Sequence, residues 1–189
     1  MTKPLPVNVP LIFREVEGYL DLVMVLSDRF ELDGTARDPV ARRVLHFLDR
    51  IPPDRKYDVE RLYYRGEALR VMERYEESLE ALQEAAELHP SQVHIWLAIG
   101  WCEKRLGRIE RAISALEEAV LVDPENALVH YNLACYFSLA GDPDMALHEL
   151  ATASRVDVDY LNLVKDEVDF DPIRDDPRLA LMLSELLAP

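Results

Sequence analysis

The side chains that could do chemistry in this chain are five histidines, two cysteines and an acidic stretch near the C-terminal end. No histidine pairs with another histidine or a cysteine at the i, i+4 spacing of a helical metal site. Cys102 and Cys135 have no neighbouring histidine in sequence that would activate a thiol nucleophile. The stretch "DEVDFDPIRDD" lacks the loop glycine and the ligand order of a calcium-binding loop. The sequence therefore predicts no enzyme, no cofactor and no metal site.

The charge balance is strongly acidic, because 36 Asp and Glu residues against 21 Lys and Arg give a formal net charge of −15. Such a surface repels phosphate and anionic lipid, so neither a nucleic-acid nor a membrane partner is expected. The acidity either keeps the protein soluble or suits a basic partner. Prolines interrupt the apolar run in "MTKPLPVNVPLIF", and no stretch approaches the about 18 apolar residues of a membrane span. We therefore expect a cytoplasmic protein.

An internal repeat of 34 residues organises the middle of the chain. Residues 59–92, 93–126 and 127–160 align without a gap. Self-similarity at a fixed period of this length is typical of a stack of identical supersecondary units. Small or apolar residues recur in four columns of the alignment: Gly66, Gly100 and Ala134; Ser78, Ala112 and Ala146; Leu82, Leu116 and Leu150; and Ala85, Ala119 and Ala153.

Each repeat has the pattern of two helices. In the middle repeat, Trp96, Ile99 and Gly100 stand at i, i+3 and i+4, which places them on one stripe of a helix. Gly107 can adopt a positive φ at the end of that helix, and a second apolar stripe follows it. Pro124 ends the second helix, since proline cannot continue one. Small residues in the first column would let the two helices approach closely.

These residues carry a resemblance to the tetratricopeptide repeat (TPR) family. The resemblance implies an all-α, right-handed α-solenoid of helix-turn-helix units. Its pattern is incomplete, because the aromatic expected before the helix turn is replaced by Leu69, Glu103 and Phe137 in the three repeats, while His130 and Val158 stand in the Trp and Pro columns of the third. The positions that match the family's Trp, Leu, Gly, Ala, Ala and Pro are Trp96, Ile99, Gly100, Ala112, Ala119 and Pro124.

The flanks of the repeats are less regular. An apolar-rich helix is predicted over about 11–30, and a second over 38–51, with Asp38 as its N-cap and Pro39 in its first turn. Segments similar to "DFDPIRDDPRL" often follow bacterial TPR arrays, which implies a C-terminal capping helix. The predicted organisation is a divergent N-terminal helical pair and linker over 1–58, three TPR units over 59–160, and a cap over 161–189.

The second tryptophan of the middle repeat indicates a binding surface. Trp101 follows Trp96 by about 500° of helical rotation, so it points about 140° away from the packing face. The resemblance implies that this direction is the concave groove, where TPR proteins bind extended or helical peptides. The residues predicted to line the groove are Tyr63, Tyr64, Glu67, Arg70, Leu97, Trp101, Lys104, Arg105, Tyr131, Asn132 and Cys135.

Ordinary structural roles for the same residues remain open at this point. The three tyrosines could pack across neighbouring repeats, and the N-terminal helices could cover Trp101. Lys104 and Arg105 could be solvated and paired with local carboxylates such as Glu103 or Glu110, and Asn132 could bind neighbouring backbone.

Two functions from different classes fit the sequence. The first is a protein-interaction adaptor whose concave TPR groove binds a peptide segment of a partner protein. The second is a structural or oligomerisation module whose groove is filled by its own N-terminal helices. A secretion-type chaperone is a more specific form of the first. The identity of the protein partner is not encoded in these motifs, and homo-oligomer formation is left open.

Overall fold

The computed structural model describes residues 7–30 and 32–186, and every regular element within these ranges is helical. The chain divides into two compact units, Met1–Pro90 and Ser91–Pro189. The boundary falls at the junction of the first two 34-residue repeats. The three-part organisation drawn from the sequence stays a prediction.

The first unit contains four helices and a short 3₁₀ helix within its described residues. Helix α1 contacts both α2 and α3, and α3 packs against α4 as the helix pair of the first repeat. Apolar side chains spaced three or four residues apart bury one face of α1 in this core: Val9, Ile12, Val16, Leu20 and Val23. The elements are α1 (Val9–Phe30), α2 (Gly34–Leu48), the 3₁₀ helix Arg55–Tyr57, α3 (Asp58–Val71) and α4 (Tyr75–Leu88).

The predicted boundaries of α2 are wrong at both ends. The helix begins at Gly34 because Asp33 is its N-cap, with a carboxylate oxygen that accepts hydrogen bonds from the backbone N–H groups of Thr35 and Ala36 at 2.9 and 3.2 Å. Pro39 therefore lies inside the helix, where it removes one backbone hydrogen bond without ending it. The first predicted helix, over about 11–30, is confirmed as α1, which begins at Val9.

The second unit contains the other two repeats and the C-terminal elements. The second helices of the three repeats begin at Tyr75, Ile109 and Pro143, each 34 residues apart, as the repeat predicts. The elements of this unit are α5 (Val93–Arg105), α6 (Ile109–Val122), α7 (Ala127–Ala140), α8 (Pro143–Val156), α9 (Asp159–Leu163), the 3₁₀ helix Val168–Ile173 and α10 (Pro177–Leu186).

The turn between the helices of each repeat has the same backbone conformation. Gly107 and Gly141 have φ values of 73° and 76°, which confirms the prediction of a left-handed residue at Gly107. Glu73 occupies the equivalent position of the first repeat with φ 58°. The repeat geometry therefore imposes a left-handed residue even where the sequence does not supply glycine.

The small-residue column marks the closest approach of the two helices in a repeat. A Cβ atom added to Gly66 would lie 2.6 Å from Cγ of Leu82, whereas one added to Gly100 would lie 3.2 Å from the side chain of Leu116. We expect Gly66→Ala to lower the free energy of unfolding by about 1–3 kcal/mol, because the added methyl group overpacks the interface. Gly100→Ala is the matched control and should cost less. Urea unfolding followed by circular dichroism measures both, and equal losses would contradict the prediction.

Candidate peptide-binding surfaces

In the first unit, α1 covers part of the face of α3 that was predicted to line a groove. The ring centroids of Phe13 on α1 and Tyr64 on α3 are 5.7 Å apart, and those of Tyr63 and Tyr64 are 5.3 Å apart. Burial raises the pKa values of both tyrosines, and the nearby Glu67 carboxylate further raises that of Tyr63. The two phenols are therefore half-buried packing groups in this unit rather than open contacts.

The other two predicted residues of α3 form an ion pair with each other. Two hydrogen bonds join the Arg70 guanidinium to the Glu67 carboxylate, Nη2 to Oε2 at 2.6 Å and Nε to Oε1 at 3.0 Å. Glu67 is buried, and Nη2 of Arg70 also lies 3.0 Å from Sδ of Met24 on α1. A charge pair this well enclosed fixes the position of Arg70, since a buried carboxylate needs its partner.

In the second unit, the predicted residues of α5 share one helical face at i, i+4, i+7 and i+8. Trp101 is partly exposed and Arg105 is exposed, with the guanidinium carbon 5.5 Å from the centroid of the indole ring. This geometry is that of a cation–π contact, worth about 0.5–1 kcal/mol at an exposed site. Leu97 packs partly buried against the core of the unit.

Lys104 lies on the same face but reaches a distant carboxylate. Its ammonium group pairs with the buried Asp169 of the 3₁₀ helix Val168–Ile173, not with Glu103 or Glu110 as considered from the sequence. Glu103 instead lies 3.6 Å from Nη1 of Arg108. Lys104 and Asp169 are 65 positions apart in sequence, so the pattern of charges near Lys104 does not reveal this ion pair.

Tyr131 and Cys135 on α7 are buried beneath the end of the third repeat and the segment that follows it. The Tyr131 ring centroid lies 5.0 Å from that of Tyr160 and 5.9 Å from that of Phe170. Only 2% of Cys135 is exposed. Burial raises the pKa of the Cys135 thiol, and the carboxylates of Asp169 and Glu167 raise it further.

The thiol of Cys135 and the carboxylates of Glu167 and Asp169 lie within 4.8 Å of one another. These are metal-ligand types, but the carboxylates already have partners. Glu167 accepts a hydrogen bond from the backbone N–H of Asp169 at 3.1 Å, and Asp169 pairs with Lys104. The cluster is therefore explained as part of the packing of the C-terminal segment.

Asn132 takes the structural role that was left open. Its Nδ2 donates a hydrogen bond of 2.9 Å to the carbonyl oxygen of Leu128, one turn earlier on α7. The side chain thus binds neighbouring backbone.

Flanking segments thus cover much of the predicted surface within each unit, and sequence reasoning missed the covering residues. The amphipathic pattern of α1 and the "DFDP" stretch of the cap were the available signals, but neither specifies a contact. The residues that cover the predicted ones are Phe13 and Met24 in the first unit and Tyr160, Asp169 and Phe170 in the second.

Because both cysteines are buried, we expect the native protein to react slowly with Ellman's reagent. Cys102 is fully buried and Cys135 nearly so, and a protonated thiol is a poor nucleophile. At pH 8 both should react at least about 100-fold more slowly than in denaturant. Urea-unfolded protein gives the reference rate, and rapid native labelling of either thiol would show that its cover opens readily.

The fold is a helical-repeat scaffold. Its antiparallel helix pairs recur every 34 residues, and small residues at one position of each repeat let the two helices of a pair approach closely. The family model described as tetratricopeptide repeat matches residues 63–120 and 103–157, just over half of the chain. The chain belongs to the tetratricopeptide repeat family. The expected all-α fold of the solenoid class is confirmed, and the family is one of protein-binding scaffolds.

The chain is similar to proteins of known sequence or structure over different lengths. It is 31% identical over 55 residues to anaphase-promoting complex subunit 3 of Dictyostelium discoideum, a match covering 29% of this chain and 6% of that protein. MamA shares 18% identity and a TM-score of 0.59, over 78% of this chain and 81% of its own. SycD, a type III secretion translocator chaperone of Yersinia enterocolitica, shares 20% identity and a TM-score of 0.50, over 68% and 90%. The two structural likenesses show the fold.

Among residues 7–30 and 32–186, no helix has the length and apolar character needed to cross a membrane.

Proposed function

We propose that this protein is a protein-interaction adaptor that binds a peptide segment of a partner protein, with Trp101 and Arg105 on α5 as anchors. The observation that carries the proposal is the partly exposed indole beside an exposed guanidinium, on the face where the repeat pattern predicts a groove. The covered positions contribute to packing within their own units rather than to direct recognition: Tyr63 and Tyr64 in the first unit, Tyr131 in the second.

The chemistry of this pair suits peptide recognition. Tryptophan and arginine are enriched among the interface residues that contribute most to binding, because they combine a large apolar area with directed hydrogen bonds. Truncating such an anchor costs about 2 kcal/mol or more of binding free energy. Membership of a protein-binding scaffold family supports a protein partner.

A structural or oligomerisation module is the second candidate, and one observation favours it. Helix α1 lies against predicted groove residues of α3, through Phe13 on Tyr64 and Met24 on Arg70. Within the first unit, an N-terminal helix therefore occupies part of the predicted groove, as the structural-module hypothesis requires. A secretion-type chaperone is the more specific form of the adaptor proposal. The structural similarity to SycD is compatible with it, but that similarity concerns the fold alone.

The adaptor proposal is tested with the double variant Trp101→Ala, Arg105→Glu. Tagged full-length protein is used as bait, and the retained proteins are quantified by mass spectrometry. We expect the variant to retain at least about 30-fold less of each specific partner, because the loss of one anchor alone costs about 2 kcal/mol of binding free energy. The matched control is Leu121→Ala, Arg111→Glu on α6, which changes an exposed apolar residue and an exposed arginine in the same unit.

Both double variants should keep the circular dichroism spectrum and melting temperature of the natural protein, because the altered side chains are at least partly exposed. Undiminished capture by the Trp101 variant would contradict the adaptor proposal. A change confined to the monomer–dimer balance would favour the structural module.

A further inference from the structure

Helix α1 has a second apolar face, which points away from the core of the first unit. Leu11, Leu22 and Val25 are 47%, 54% and 55% exposed, on the side opposite to the buried stripe. Together with Gly18 they span about 60° of the helix circumference. Exposed apolar residues that share one face of a helix indicate an interaction surface more often than scattered apolar residues do.

Gly18 lies in the middle of this stripe, and packing against the described residues does not explain it. A Cβ atom there would have no atom of a described residue within 4 Å, and its φ is ordinary. Glycine inside a helix costs about 0.5–1 kcal/mol relative to alanine. Gly18 lines a shallow depression of about 330 Å³. The other residues that line this depression are Arg14, Glu15, Tyr19, Leu22, Arg43 and Phe47.

We propose that this face of α1 is a two-fold interface with α1 of a second copy of the chain, antiparallel and crossing at Gly18. Leu11 precedes Gly18 by seven residues and Val25 follows it by seven. A two-fold axis at Gly18 therefore places Leu11 of one copy on Val25 of the other, twice. The absence of a side chain at the crossing lets the two helices approach closely, as small residues do at other helix contacts.

The charged residues beside the stripe favour a second copy over an unrelated partner. Arg14 and Asp21 are exposed and lie on the same flank of α1, about 20° apart around the helix. In an antiparallel pair each flank faces the same flank of the other helix. Arg14 then meets Asp21 of the second copy, and the contact occurs twice by symmetry. Glu15, which lies beside the opposite edge of the stripe, lines the same depression as the cationic Arg43.

The inference concerns a different surface from the proposed peptide anchors on α5, so the two can fail separately. It is tested by sedimentation equilibrium of the full-length protein between about 1 and 200 μM, where the natural chain should dimerise. Leu22→Glu should weaken the dimer at least about tenfold, because it buries a carboxylate at the interface. The control Leu121→Glu, on the 77%-exposed Leu121 of α6, should leave it unchanged.

A charge exchange tests the orientation of the two helices. Arg14→Glu and Asp21→Arg should each weaken association about threefold to tenfold, and the double variant should restore it, because two exposed ion pairs are broken and then reversed. A chain that stays monomeric to 200 μM would overturn the proposal, as would full dimerisation of the Leu22→Glu variant. A double variant as weak as the single ones would overturn the antiparallel register. Binding of a monomeric chain to lipid vesicles through Leu22 would assign the face to a membrane instead.

Discussion

Replacing Phe170 with alanine is expected to lower the free energy of unfolding by about 3–5 kcal/mol, the usual cost of removing a wholly buried ring. Phe170 is fully buried, and its ring meets that of Tyr131 edge to face at 5.9 Å. Although it follows the last repeat, it belongs to the core of the second unit. Urea unfolding followed by circular dichroism measures the loss.

Val168→Ala is the matched control, because Val168 begins the same 3₁₀ helix and is 67% exposed. It should change stability by less than about 0.5 kcal/mol. The Phe170 variant should also expose the Cys135 thiol to Ellman's reagent, since the segment that carries Phe170 covers it. A loss below about 1 kcal/mol would show that the segment is loosely attached to the repeats.

The second large effect is expected at His130, which stands in the Trp column of the third repeat. Its Nδ1 lies 2.6 Å from Oε2 of Glu149 on α8, and its Nε2 lies 2.9 Å from the carbonyl oxygen of Pro124. His130→Leu should cost about 3 kcal/mol, because it leaves a carboxylate that is only 12% exposed without this partner. The melting temperature and the urea midpoint report the change.

A second substitution separates lost hydrogen bonding from lost packing. In the double variant His130→Leu, Glu149→Met no carboxylate is left enclosed, so more than half of the lost stability should return. Lack of any recovery would mean that the shape of the imidazole, rather than its pairing with Glu149, holds α7 and α8 together.

These contacts change how the predicted groove is interpreted. Lys104 and Tyr131 have the residue types of ligand contacts, yet the chain itself supplies their partners, Asp169, Tyr160 and Phe170. We propose that a peptide bound to the second unit contacts α5 through the partly exposed Trp101 and the exposed Arg105. The adaptor proposal accordingly rests on these two residues, and a substitution at Tyr131 or Lys104 should act through stability.

The sequence predicted the fold, but it did not predict which of the candidate site residues are covered by other parts of the chain. Helical spacing correctly placed Leu97, Trp101 and Arg105 on one face, because that face depends only on the pitch of α5. Whether a residue on the face is open depends on segments far away in sequence. Phe13 covers Tyr64 from 51 positions earlier, and nothing in the pattern of α1 specifies that contact.

The helix pairs, their 34-residue period, the left-handed turn at Gly107 and the family were determined by the sequence alone. Each depends on local features, namely apolar periodicity, small residues and the backbone limits of glycine and proline. The tertiary structure alone decided that α2 begins at Gly34 with Asp33 as its N-cap, that Lys104 pairs with Asp169, and that the flanking segments cover α3 and α7. The sequence offers several comparable N-caps, ion pairs and apolar faces, and the folded structure contains only some of them. Burial of apolar surface stabilises any of these alternatives, so the sequence pattern does not show which one forms.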